Sequence, residues 1–164
     1  MAQAEKQTHY FTTSLVHLPM RVFGHVGTYR PGDLFANRLE LSLTGLHKPR
    51  RAGVSGSQAE GADSIVLAGA YEDDAFSEDE IIYSGSGGRD LQSGKQVTDQ
   101  EMTGRNLALR RSQETGQPVR VFQRVAHEDG EKFRYEGLYR VISHAYVRGK
   151  AGYQVFLFRL VPVT

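Results

Sequence analysis

A chain of 164 residues with 39% hydrophobic and 24% charged side chains has the size and make-up of one globular domain with its own buried core. No apolar run approaches the roughly 20 residues needed to cross a bilayer, and a sequence without cysteine has neither disulfides nor thiolate metal sites. A net charge of +1 falls short of the basic balance of a protein that coats nucleic acid indiscriminately, so a nucleic-acid partner requires locally sorted charge.

Residues 1–20 are polar and irregular and read as an N-terminal arm, with the compact domain covering 21–164. The opening Met1-Ala2-Gln3-Ala4-Glu5-Lys6 lacks the apolar stretch of a secretory signal, and a cytoplasmic location is expected. Val22-Phe23 and the run from Leu34-Phe35 to Leu43, set among the breakers Gly27, Pro31 and Gly32, hold strands or a short helix; periodicity does not choose between them. Ser64-Ile65-Val66-Leu67-Ala68, β-branched at its centre and ended by Gly69, reads as a buried strand, and Ile81-Ile82-Tyr83 as a second. From Gly85 to Gly94 the density of glycine rules out regular structure and allows backbone to approach a ligand closely. Thr98 to Glu114 predicts a helix, closed by Gly116-Gln117-Pro118. Val119–Phe122, Gly137–Ile142 and Tyr153–Leu160 alternate or run apolar at strand length. The expected fold is therefore α+β but mostly β: a curved, β-barrel-like sheet with one or two helices packed outside.

Charge is sorted along the chain. Acids crowd into Glu72-Asp73-Asp74 and Glu78-Asp79-Glu80, while Lys48, Arg50 and Arg51 form one basic cluster and Arg105, Arg110, Arg111, Arg120 and Arg124 supply another. Such separation suits a positive stripe facing phosphates, or simply two solvated surfaces. The six histidines show no H-x-H or H-E-x-x-H spacing, so a zinc site is not expected. Glu72-Asp73-Asp74 offers oxygen ligands for Mg²⁺, but adjacent carboxylates on an extended chain point to opposite sides. The glycine loop lacks the Lys-Ser/Thr ending of a P-loop. The distinctive constellation is Tyr71 and Tyr83 bracketing Asp74: two tyrosines at the ends of neighbouring strands can sandwich a planar base, and a carboxylate can accept from an exocyclic amine such as cytosine N4.

Several linked blocks then resemble the SRA (SET- and RING-associated, or YDG) domain family: Ala52-Gly53-Val54-Ser55-Gly56, Ala62 to Asp74, Ile82-Tyr83-Ser84-Gly85-Ser86-Gly87-Gly88-Arg89-Asp90-Leu91, Gly116 to Val121, and Tyr135-Glu136-Gly137 at the motif that gives the second name. The resemblance runs from about Phe23 to Leu160. It implies a domain that grips duplex DNA and flips a 5-methylcytosine, or a 5-hydroxymethylcytosine, out of the helix, with no cofactor. Tyr71 and Tyr83 would stack on the base and Asp74 read its edge. Ala68, Gly69, Ala70 and Ser84 would form the pocket wall. Arg51, with Lys48 and Arg50 beside it, would sit on a probing loop, and Gly87, Gly88, Arg89 and Lys95 would lie near phosphates. The short Gln92-Ser93-Gly94-Lys95-Gln96 segment departs from the longer finger of eukaryotic relatives, so recognition is expected to ignore the opposite strand. Bacterial domains of this kind are commonly fused to an HNH nuclease, and the chain is expected to be an isolated, non-cutting recognition domain of such a restriction enzyme. The alternative is a metal-dependent nuclease or nucleotide hydrolase using the acidic cluster; a third reading is a β-rich protein-interaction module.

Overall fold

In the computed structural model, which describes residues 21–69 and 71–163, eight strands form one sheet and two helices lie against it. In chain order these are β1 (Leu34–Phe35), α1 (Arg38–Thr44), β2 (Val54–Ser57), β3 (Gly61–Leu67), β4 (Ala75–Phe76), β5 (Ile81–Ser84), α2 (Gly104–Thr115), β6 (Val119–His127), β7 (Gly130–Arg148) and β8 (Gln154–Pro162). Across the sheet the order is β2-β3-β6-β7-β8-β5-β4, with β1 paired to β7 off that path. Among the described strands only β3 and β6 run parallel. Because β2 and β4 end the path, the sheet is not closed into a barrel. Register shifts at Ser55/Gly56, Val121/Phe122 and Val141/Ser143 supply the bulges by which such a sheet bends. The expected N-terminal arm lies outside the described residues.

The apolar run at 64–68 becomes β3, buried along its whole length because both faces of the sheet are covered. Ile65 and Leu67 point into one core with Leu109 of α2, Val121 and Phe158. Val66 points into the other, with Leu41 of α1, Phe122 and Tyr135. Each such side chain withdrawn from water contributes about 1.5–3 kcal/mol, which fixes the strand between the two helices.

The structure resolves one alternative the sequence leaves open and moves one boundary, each for an identifiable reason. The segment after Leu34-Phe35 is helical because Asn37 accepts from the Glu40 amide (2.9 Å) while the Glu40 carboxylate accepts from the Ala36 amide (2.5 Å), a reciprocal cap. The second helix begins at Gly104, not Thr98, because residues 99 and 100 are used by the β7–β8 hairpin. The Asp99 carboxylate accepts from the Gln154 amide (2.8 Å), and the Gln100 amide donates to the Gln154 carbonyl (2.9 Å). Strand β7, legible in sequence only as Gly137–Ile142, runs for 19 residues and, besides the short β1, serves two long neighbours. It pairs with β6 up to Tyr139 and with β8 from there on. Near the change of partner Gly137 adopts φ +109, which a side chain would strain.

A buried ion pair ties the segment leading into β1 to the sheet. Arg120, 1% exposed, donates to the carbonyls of Leu46 (2.8 Å), Val22 (2.7 Å) and Gly24 (2.8 Å) and faces the Asp63 carboxylate at 3.6 Å.

Candidate functional site

A cavity of about 620 Å³ opens beside the C-terminal end of β3 and the end of β5, between the loops at 48–53 and 85–94. That volume is in the range of small-ligand sites. The structure brings Tyr71, Asp74, Tyr83, Ser84 and Ala68 onto its wall, together with Arg51, Gly87, Gly88 and Arg89. Gly69, exposed and at φ +74, instead lines a neighbouring cavity that shares Ala68 and Asp74 with the first. Ala70 lies outside the described residues. Lys48 and Arg50 are exposed beside the cavity without lining it, and Lys95 lines a further cavity on the other side of Tyr71 and Arg89.

Tyr83 is placed by β5, where it pairs with Phe158 of β8 and lies in the core beneath α2. Its hydroxyl donates to the Val66 carbonyl at 3.5 Å, and burial pushes its phenol far above the ordinary range, so it stays neutral. Tyr71 is only half-buried, and its hydroxyl accepts from the Gly87 amide (3.2 Å). The Asp74 carboxylate accepts from the Ser84 amide (2.7 Å). Burial, opposed by that hydrogen bond and reinforced by Asp73, pushes its pKa up to about 6. Asp73 faces elsewhere: its carboxylate accepts from the Lys150 amide at 3.1 Å, in the turn after β7. The two adjacent acids therefore serve different places, and among the described residues no three His, Cys, Asp or Glu side chains gather where they could hold a metal.

Gly53 explains how the loop before β2 approaches the ring so closely. A Cβ at that position would lie 2.6 Å from the Tyr83 hydroxyl. The loop itself is held by its carbonyls. Arg38 of α1 donates to those of Pro49 (2.9 Å), Arg51 (3.3 Å) and Ala52 (2.6 Å). His47 is fully buried, and desolvation lowers its pKa to about 4, so it is neutral. Its Nε2 faces the Ala52 carbonyl (2.9 Å) and must carry the proton, which leaves Nδ1 to accept from the Ser64 hydroxyl (2.7 Å).

The glycine loop is held by two buried amides that sequence reasoning passed over. Asn106 of α2 accepts from the Ser86 amide (2.8 Å) and donates to the Ser86 carbonyl (3.0 Å). Gln100 donates to the Gly85 carbonyl and accepts from the Phe156 amide, both at 2.8 Å. Their signal was weak: an Asn inside a predicted helix and a Gln just before it, each of a type that is mostly exposed. Arg38, which the sequence did not single out, and Arg105 of the second basic cluster also line the cavity, so that with Arg51 and Arg89 four arginines set a positive mouth around the buried Asp74. This mouth suits a polyanion whose neutral, planar part enters the cavity.

Comparison with known proteins follows the same lines. A family model described as "SAD/SRA domain" matches residues 22–164. A histone-lysine N-methyltransferase family member, SUVH2 of Arabidopsis thaliana, is 38% identical over 152 residues, covering 87% of this chain and 23% of the relative. The E3 ubiquitin-protein ligase UHRF1 of Danio rerio is 35% identical over 170 residues, covering 87% and 22%. The chain thus spans less than a quarter of these relatives' length. Among solved structures, a modification-dependent TagI restriction endonuclease superposes with a TM-score of 0.81 at 39% identity, covering 88% of this chain and 53% of that one. The SUVH5 SRA domain in complex with fully methylated CG DNA gives 0.75 at 33% identity, covering 87% and 94%. The same domain bound to fully hydroxymethylated CG DNA gives the same values. Among the described residues no helix is long and apolar enough to cross a membrane.

Proposed function

We propose, on the premise that this chain belongs to the SAD/SRA domain family, that it binds duplex DNA and takes a 5-modified cytosine, flipped out of the helix, into the cavity walled by Tyr71 and Tyr83. The observation that carries this reading is the convergence of two tyrosines and the buried Asp74 carboxylate in a single cavity rimmed by arginines. Flipping costs a few kcal/mol of lost stacking and pairing, and each base–aromatic stack returns about 1–3 kcal/mol, so two rings and an edge hydrogen bond are of the right size. Asp74 accepts from the cytosine N4 amine. Ala68, small and on the cavity wall, leaves room for the 5-substituent. Arg51 fills the gap in the stack, and Lys48, Arg50 and Lys95 meet phosphates from the exposed flanks.

The likeness to a modification-dependent restriction endonuclease, of which this chain covers about half, supports a targeting role beside a fused nuclease; that the nuclease is of HNH type and acts inside a bacterial cell is what the family resemblance implies. The separate engagements of Asp73 and Asp74 weigh against the rival metal-dependent hydrolase. The test is a fluorescence-anisotropy titration at matched salt with one duplex unmodified, hemimethylated and fully methylated at a single CpG, and Tyr83→Ala alongside. Tighter binding of both methylated duplexes, lost in the variant, is the expected result. Equal affinity for all three duplexes would overturn it.

A further inference from the structure

Sequence reasoning placed Arg89 among phosphate contacts, but its side chain is already engaged within the protein. It is half-buried, its Nε donates to the Gly94 carbonyl at 2.6 Å, and its guanidinium carbon lies 4.7 Å from the centre of the Tyr71 ring. No carboxylate pairs with it among the described residues. The Gly94 carbonyl belongs to a tight hairpin. Within it Arg89 bridges to Gln96, the Asp90 amide donates to the Lys95 carbonyl (2.8 Å), and the Gly94 amide donates to the Asp90 carbonyl (2.8 Å). At the tip of this hairpin Leu91 is 100% exposed and lines the same cavity as Tyr71.

We infer that Arg89 is a positioning residue that couples the stacking face of Tyr71 to the 89–96 hairpin, rather than a phosphate contact. The inference rests on the base-binding reading above and deepens it. Three features lead there. The Tyr71 ring is held at its hydroxyl by the Gly87 amide and over a face by the Arg89 guanidinium. A guanidinium is planar, so one group can lie over the ring and still direct an N–H at a carbonyl in its own plane. Finally, Arg89 borders both cavities that meet at Tyr71, so a base that moves the ring moves the hairpin with it. Base capture and placement of Leu91 against the duplex then become one event.

The test compares Arg89→Lys, which keeps the charge but loses the plane, and Arg89→Met, which loses both, with wild type and Lys95→Met. In the free domain, amide hydrogen exchange at Asp90 and Gly94 is expected to quicken about tenfold in both Arg89 variants. Anisotropy titrations across a salt series are expected to show both variants losing about tenfold in the preference for methylated over unmodified duplex, with the salt slope of wild type retained. Lys95→Met, by contrast, should lower that slope by about 0.9, the value for one phosphate contact. The inference is overturned if Arg89→Lys behaves as wild type while Arg89→Met lowers the slope by one contact, or if hairpin exchange is unchanged in both. A wild-type domain with no preference for methylated DNA would sink the base-binding reading instead, while the exchange measurement on the free domain would still decide the role of Arg89.

Discussion

Replacing Asp74 by Asn should stabilise the domain while destroying its proposed selectivity. Burial pushes the native carboxyl up to about 6, against 3.8 for a free side chain. The folded state therefore binds this proton more tightly than the unfolded chain does. The sign follows: the contribution is fully present below pH 3.8 and is lost as pH rises through 6, so at neutral pH the ionised carboxylate opposes folding. At 1.36 kcal/mol per pH unit, and with an allowance for partial solvent screening, the penalty is about 2–3 kcal/mol. Asn does not ionise, yet it keeps an oxygen to accept from the Ser84 amide, as Asp74 does at 2.7 Å. For a chain of this size each kcal/mol moves the melting temperature by about 2–4 °C. Circular-dichroism melts should show Asp74→Asn unfolding several degrees above wild type at pH 8 and together with it at pH 4. The same variant presents an amide N–H₂ towards the cytosine amine, donor against donor, and a lost hydrogen bond to a charged acceptor is worth about 1.5–3 kcal/mol, so anisotropy should record roughly ten- to hundredfold weaker binding of methylated duplex. A variant that melts at or below wild type at pH 8, with the same dependence on pH, would refute the reasoning.

Three other perturbations probe the frame around the cavity. Gly53→Ala places a Cβ 2.6 Å from the Tyr83 hydroxyl, so either the ring or the loop must move; overpacking of this kind costs about 1–3 kcal/mol, and selective binding should fall with the urea midpoint. Arg120→Met strips the Leu46, Val22 and Gly24 carbonyls of their donor and takes from Asp63 the more buried of its two arginine partners, leaving it only Arg21 at 3.4 Å. It should cost about 3–5 kcal/mol in urea denaturation, and a loss under 1 kcal/mol would mean that water replaces the guanidinium. Tyr71→Phe keeps the ring and removes only the acceptor for the Gly87 amide. Affinity for methylated duplex should drop about two- to fivefold, far less than for Tyr71→Ala.

How much of this was legible in sequence depended on whether the information was local. The strands at Ile65 and Ile82 announced themselves through short apolar runs, and Tyr71, Asp74 and Tyr83 were identifiable because they crowd within thirteen positions of one another along the chain. The pairing of β3 with β6 was not, because it brings Ser64 beside Arg120 across a separation that no local pattern encodes. Helix α2 was found but started too early. Asp99 and Gln100 have side chains compatible with a helix, and only the distant β8 diverts them. Only the family resemblance puts Arg89 near phosphates; its position over Tyr71 depends on a hairpin whose shape becomes visible only in three dimensions.

The loop between α1 and β2 is gripped through its main-chain carbonyls by Arg38 and His47, and almost nothing in that grip depends on the side chains at 48, 50 and 51. Its shape and its vocabulary are therefore separable. The tip can be rewritten, residue by residue, while the scaffold beneath it stays in place, which makes these three positions the natural place to graft a new preference for the bases flanking the modified one.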